Sequence, residues 1–350
     1  MTRKRVVVLG TGTIGRPGLK AIIEHPELEL VGLHSWSSDK IGRDAGEIAG
    51  TALTGVLGTD DMDALLDLQA DCLAHFGNGA MREDACNAEI IPFLERGTNV
   101  VTCAMMDVVH PRHGRPQYVE PLQDACRRGN ASMFSSGVDP GFFTTNYLFA
   151  LLSIAGRIDQ IRFSEIADIS EYAGVESLRL YGFNEPLEHR PAMFTDGVGL
   201  AWHQSSVRNI ADYLEVTLDD ITSTWETAAL DRDFTATFGT IEAGRTIAVR
   251  WTVTGIYKGK PLIVYRKIER LCMEAAPEWE LPSPGSGAAC WRIHVEGDPS
   301  FTSEISGGLL DGCAMTALHP VNAIPTVCEA PAGILDPLTI RPFYSRLVGA

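Results

Sequence analysis

No run of apolar residues in this chain reaches the ~18 that a membrane-spanning helix needs, and no C-x-x-C pair occurs among its eight cysteines. Neither a disulfide framework nor a zinc knuckle is indicated, and the cysteines read as reduced thiols of a cytoplasmic protein. Positive charge is also short: 29 Lys and Arg stand against 45 Asp and Glu, a net charge of −16. Nucleic acid and anionic membrane surfaces both require clustered cations, so neither is expected as a partner. The opening MTRKR is basic, but the VVVLG after it is too short for a signal peptide and runs into glycines. A nucleophile elbow G-x-S-x-G and a P-loop G-x-x-x-x-G-K-[ST] are both missing. No internal repeat or long low-complexity tract interrupts the chain.

What is present is an ordinary globular composition, 45% apolar and 21% charged, over 350 residues, enough for two domains. Up to residue 145 short apolar runs (5–9, 28–33, 74–77, 100–102 and 132–135) alternate with helical patterns at 17–24, 62–69 and 118–127. That alternation predicts a doubly wound parallel sheet with crossover helices, the α/β Rossmann class. RFSEIADIS, GRTIAVRWTVTGIY, PLIVYRKIERL and CWRIHVEG then have the pattern of a mainly antiparallel sheet, with KGK as a hairpin turn. From residue 311 the pattern is helical again, and Pro320 and Pro325 should kink or end that helix. The expected division is a dinucleotide-binding domain, 1–145, with 311–350 packing back on it, and an α+β substrate and dimerisation domain, 146–310. The late helix is apolar on more than one side, so it should be buried against the first domain.

VVVLGTGTIG sets Gly10, Gly12 and Gly15 in G-x-G-x-x-G spacing between a strand and a helix. Gly10 permits the turn, Gly12 lets backbone approach a pyrophosphate, and Gly15 lets the helix pack on the strand. With Thr11, Thr13 and Ile14 this turn is the expected cofactor cradle. An NAD site has an acid about 20 residues further on, for the ribose 2′-OH. Here the second strand ends in His34, Ser35, Trp36, Ser37 and Ser38. Ser35, Ser37 and Lys40 suit a 2′-phosphate better, so NADP is expected, with NAD possible.

Ligands of such sheets sit at the carboxyl ends of the strands. The ends available are Gly77 and Asn78, Thr102 and Cys103, and the stretch SSGVDPGFF. Asp139 there can contact substrate or cap the next helix. Cys103 can be a nucleophile or a buried small side chain, but it has no helix start after it to lower its pKa. HPRH spaces two histidines around a proline with no third ligand, so no metal is expected. Asp107 is the sole charge between Arg96 and Arg112, enclosed by Met105, Met106, Val108 and Val109. An apolar pocket would raise its pKa towards that of a working base; an exposed loop would leave it ordinary.

These stretches resemble the dihydrodipicolinate-reductase-like family that includes 2,4-diaminopentanoate dehydrogenase and native amine dehydrogenases. RVVVLGTGTIG, NVVTCAMMDVVHP, SSGVDPGF, FSEIADISEY with YGFNEP, and AMTALHPVNAIPTVCEAPAGI carry the likeness over nearly the whole chain. The His-His-x-x-Lys segment of true dihydrodipicolinate reductases is absent from SEIADISEY, which argues against lysine biosynthesis. The resemblance implies reductive amination of a ketone or aldehyde with ammonia, its reverse, and a homodimer. It implies that Asp107 stands where the family has a glutamate a few residues before a proline, handling the ammonium proton; the acid is one methylene shorter here. Pocket candidates are Asp139, Phe142, Phe143, Asn146, Tyr172, Tyr181, His203, Thr316 and His319, and Asn322 is added to the cofactor set. With no Arg clamp, a carbonyl substrate without a carboxylate fits better than a keto acid. Two alternatives remain open: an ammonia-independent carbonyl or imine reductase of the same fold, and a non-catalytic NADP-binding sensor.

Overall fold

Val6 to Leu9 are fully buried, as a central parallel strand covered on both faces requires. In the computed structural model, which describes residues 2–79, 81–172, 174–195, 198–237 and 239–347, this strand is β1 (Lys4–Leu9). It is followed by α1 (Gly15–Glu24), β2 (Leu28–His34), α2 (Ala45–Ala49), β3 (Gly58–Thr59), α3 (Met62–Asp67) and β4 (Cys72–His75). Next come α4 (Glu83–Glu95), β5 (Asn99–Thr102), α5 (Pro116–Gly129) and β6 (Ser132–Ser135). The second unit then runs α6 (Leu148–Leu152), β7 (Arg157–Asp168), α7 (Val175–Leu180), α8 (Ala192–Thr195), α9 (Val198–Tyr213) and β8 (Asp220–Ala228). It continues through β9 (Phe234–Ala236), β10 (Gly239–Ile241), β11 (Ala248–Tyr257), β12 (Lys260–Arg270), β13 (Ala289–Asp298) and β14 (Phe301–Gly307). α10 (Leu309–Val327) and β15 (Gly333–Ile334) close the chain. The two compact units are 1–142 with 313–350, and 143–312.

The first unit is a seven-stranded parallel sheet in the order β15-β6-β5-β4-β1-β2-β3, a doubly wound sheet of Rossmann type. Alternate residues of β1 supply its two cores: Val6 and Val8 pack with Leu19, Ile22 and Leu33, and Val7 and Leu9 with Leu73, Ile90 and Phe93. The first of these cores also takes Ala317, Val321, Ala323, Ile324 and Val327 of α10. That burial explains a difference from the sequence expectation. α10 runs on through both Pro320 and Pro325 instead of ending, because fully burying several aliphatic side chains at about 1.5–3 kcal/mol each outweighs the lost helix bonds. The fourth strand also lies two residues earlier than its apolar pattern suggested, at 72–75.

The second unit is a six-stranded sheet, β14-β13-β7-β12-β11-β8, antiparallel except where β12 runs parallel to β7. β11 and β12 meet in a hairpin at Lys258 and Gly259, both with positive φ (52° and 73°), the turn expected at KGK.

Candidate active site

The glycine turn has the geometry of an anion cradle. Gly10 holds φ +102° and a Cβ there would lie 2.8 Å from the Phe76 carbonyl oxygen; one at Gly15 would collide with the Gly10 carbonyl. Gly12, by contrast, has nothing within 4 Å of its Cβ position, so one side of the turn stays open. α1 begins there with no side-chain cap and no acid in its first turn, leaving N–H groups for an anion. The residues expected to read the 2′ position gather on this turn. Lys40 Nζ donates to the Thr11 carbonyl (3.0 Å) and hydroxyl (3.1 Å). The Ser35 hydroxyl lies 3.3 Å from that of Thr11 and accepts from Ser37 N–H at 3.2 Å. Trp36, half exposed, stands edge-on to His34 beside Gly10, a contact the sequence reading did not use.

The next two strand ends are tied to each other. His75 is fully buried; its Nδ1 shares a proton with the Thr102 hydroxyl (3.0 Å) and its Nε2 with Glu89 (2.9 Å). Thr102 also accepts from Ala104 N–H at 3.0 Å, so its hydroxyl organises the loop rather than standing open. Cys103 is buried, and desolvation pushes its thiol up to about 12, which leaves no thiolate for thioester chemistry. Asn78 is exposed and Gly77 half-buried beyond the end of β4.

Asp107 lies in a single 3₁₀ turn, Met106–Val108, and its side chain is 1% exposed. It does not stand alone among apolar side chains as the local sequence suggested. Its Oδ1 accepts from the backbone N–H and Nε of Arg115 at 2.9 Å each, and Oδ2 accepts from Nη2 at 2.7 Å. The same Nη2 donates to buried Glu83 at 2.6 Å. Burial would lower the Arg115 pKa, but its hydrogen bonds to Asp107 and Glu83 outweigh that and raise it. Local sequence hid this partner because it is eight residues away, beyond a turn.

At the end of β6, His319 Nδ1 meets the Ser136 hydroxyl at 2.8 Å, and its ring packs on Phe142 (5.3 Å) and Phe343 (4.9 Å). Burial pushes this imidazole down to about 4, so it is neutral. Thr316 accepts from Val138 N–H at 3.5 Å. Thus Phe142, Thr316 and His319 come together at a strand end, with Asp139 half-buried nearby in sequence. Asn322, three residues further along α10, lines a cavity with Glu27, Thr326, Arg341 and Phe343, the last of which also packs on His319.

In the second unit Phe143 is a core residue, 1% exposed and edge-on to Phe163 at 6.2 Å, rather than an open pocket wall. Asn146 accepts from the Thr145 hydroxyl at 3.1 Å. His203 donates Nδ1–H to the Gly199 carbonyl at 2.6 Å and packs against Trp251 and Tyr265; burial pushes it down to about 4. Tyr181 stacks near Trp225 at 6.5 Å, and burial raises its phenol, which also feels Lys267, Glu269, Glu165 and Tyr172. Those three ionic residues were missed in the sequence. Lys267 bridges Glu165 (2.5 Å) and Glu269 (3.2 Å). The signal was their period-2 spacing from Tyr265 and Phe163 on the buried face of strands.

Comparison with known proteins places these features. Residues 4–103 match the N-terminus of dihydrodipicolinate reductase, and residues 143–342 match the 2,4-diaminopentanoate dehydrogenase C-terminal domain. A curated amine dehydrogenase of Streptomyces virginiae is 34% identical over 352 residues, covering 97% of this chain and 98% of its own. Among solved structures, an amine dehydrogenase of Mycobacterium smegmatis superposes with a TM-score of 0.78 at 19% identity, covering 98% of this chain and 97% of its own. A probable dehydrogenase of Thermotoga maritima gives 0.59 at 12% identity, covering 95% and 91%. At these identities the solved structures speak for the fold.

Two outcomes follow from the buried groups. Arg115→Met leaves Asp107 and Glu83 without their cation and should cost about 3–5 kcal/mol in urea unfolding; adding Asp107→Asn should restore part of it, and strict additivity would contradict the pairing. His203 binds a proton near pH 6.5 unfolded but only near 4 folded, so its stabilising contribution is whole above pH 6.5 and drains away as pH falls towards 4. The loss of stability over that window should be smaller in His203→Phe by up to about 3 kcal/mol; parallel pH profiles would refute this.

Proposed function

We propose a reaction for this chain from the family to which it belongs, the amine dehydrogenases that join a dihydrodipicolinate-reductase-type N-terminal domain to a 2,4-diaminopentanoate dehydrogenase C-terminal domain. The reaction is reductive amination: a ketone or aldehyde, ammonia, NADPH and a proton give an amine, NADP and water, and the reverse is oxidative deamination. The observation that carries it is the 34% identity to an amine dehydrogenase along 97% of the chain.

The glycine turn fits a dinucleotide, since the open side of Gly12 and the uncapped start of α1 offer N–H groups to its pyrophosphate. When bound, the nicotinamide supplies the hydride. Lys40, Ser35 and Ser37 are proposed to hold the 2′-phosphate, with NADPH preferred over NADH; Lys40 is already directed at Thr11 of the turn. Thr13 and Gly77 would approach the cofactor through backbone, and Phe142, Thr316 and His319 would wall the reacting end. Asp107 is proposed as the carboxylate of that end. With Arg115 across both its oxygens, the role suited to it is a fixed negative charge for the iminium rather than a swinging base. A homodimer in the cytoplasm completes the reading, in keeping with eight free thiols and the lack, among the described residues, of a helix long and apolar enough to cross a membrane.

NADPH oxidation with a neutral ketone should require ammonia; ammonia-independent oxidation would favour a carbonyl reductase, and tight NADPH binding without turnover on any carbonyl would favour a sensor. Lys40→Ala should weaken NADPH roughly 10- to 100-fold and NADH little; equal losses would remove the 2′-phosphate assignment. Asp107→Asn should lower turnover roughly 10²- to 10³-fold, whereas a purely structural Asp107 would shift the melting temperature and leave kcat unchanged.

A further inference from the structure

The six-stranded sheet of the second unit gathers cations on the face opposite its tryptophans. Ser164 on β7 pairs with Arg266 on β12 and with Arg292 on β13. Arg162, two residues back along β7, pairs with His294 on β13. The two-residue period of a strand puts all five side chains on the same side. With Glu280 they line a cavity of about 400 Å³, the size of a small-ligand site. Every one of these residues lies within the second unit.

The arginines are unequally paired. Arg266 Nη1 is bonded to Glu280, and Arg292 donates from Nε to Glu304 at 2.8 Å. Two carboxylates thus answer two guanidinium groups. Arg162 has no carboxylate partner among the described residues; its Nη2 donates to the Gln160 side chain at 2.8 Å. One positive charge is left over there, and three donors are left over with it. Arg162 Nε, Arg266 Nε and the hydroxyl of Ser164 are buried with no hydrogen-bond partner among the described residues, and Ser164 is 1% exposed. Buried donors are nearly always satisfied, because each one without an acceptor costs its desolvation.

A carboxylate fits this inventory. It carries one negative charge, and its two oxygens offer four lone-pair sites, enough for three donors. A phosphate monoester carries nearly two charges and would be repelled by Glu280, which already lines the cavity. An alcohol would bring an acceptor but no charge. We propose that this cavity binds a small monocarboxylate, whose oxygens accept from Arg162 Nε, Arg266 Nε and the Ser164 hydroxyl. A carboxylate held in this way bridges β7 and β12, the parallel pair of the sheet. The inference does not rest on the reaction proposed above.

The test titrates the full chain, ¹⁵N-labelled, with butanoate, butyl phosphate and 1-butanol. Binding is read by saturation-transfer NMR and by the arginine Nε–H signals. Butanoate should bind saturably and shift the Nε–H signal that disappears in Arg162→Met. Butyl phosphate should bind roughly 10-fold more weakly, and 1-butanol not at all. Arg162→Met should weaken butanoate binding roughly 10- to 100-fold, and Ser164→Ala roughly 2- to 10-fold. The absence of saturable butanoate binding, binding of butyl phosphate or 1-butanol as tight as that of butanoate, or binding unchanged in both variants would overturn the inference. So would a fall from dimer to monomer in Arg162→Met when the unaltered protein binds no butanoate, since the donors would then serve an acid of a second copy. Should Arg162→Met fail to fold, Ser164→Ala and the ranking of the three ligands by the unaltered protein decide.

Discussion

A cation held between two carboxylates, where little water reaches, is built into each unit of this protein. In the first it is Arg115 between Asp107 and Glu83; in the second it is Lys267 between Glu165 and Glu269. Charges removed from water at such depth persist only when paired and hydrogen-bonded, and either carboxylate alone would be expelled or neutralised. Each trio therefore fixes backbone that would otherwise be a loop or a slack strand face. Arg115 clamps the 3₁₀ turn at 106–108 to the start of α5 through its own N–H as well as its guanidinium.

The remaining architecture serves to put such groups at defined places. In the first unit the crossover sheet brings the glycine turn, the His75–Thr102 pair and the Ser136–His319 pair to the carboxyl ends of neighbouring strands. His75 and His319 are both held by hydroxyls, and His319, pushed down to about 4 by burial, shapes the edge without adding positive charge to it. In the second unit the strand registers set Trp225, Trp251, Lys267, Glu165 and Trp291 in one row across the sheet.

The sequence made the frame legible where spacing alone carries the physics. Gly10, Gly12 and Gly15 announce a βα turn because each glycine answers a different steric demand, and the apolar strands of the first unit repeat with the crossover period. Lys40 could be assigned to the 2′ position because the second strand ends in Ser35, Ser37 and Ser38 with no acid among them. Side-chain partnership was much less legible. Asp107 read as solitary because its cation sits past a turn, and Phe143 read as a pocket wall although its ring is packed into the core. Lys267 and Glu269 were hidden inside a strand pattern whose alternation marks the buried face but cannot say which charges on it meet.

The central claim is that this protein makes carbon–nitrogen bonds by reduction. Its most direct test is the mass of the product formed from a neutral ketone, NADPH and [¹⁵N]ammonium. The account predicts an amine that carries the ¹⁵N label in stoichiometric amount with the NADPH consumed; an alcohol, or a product without the label, would contradict it.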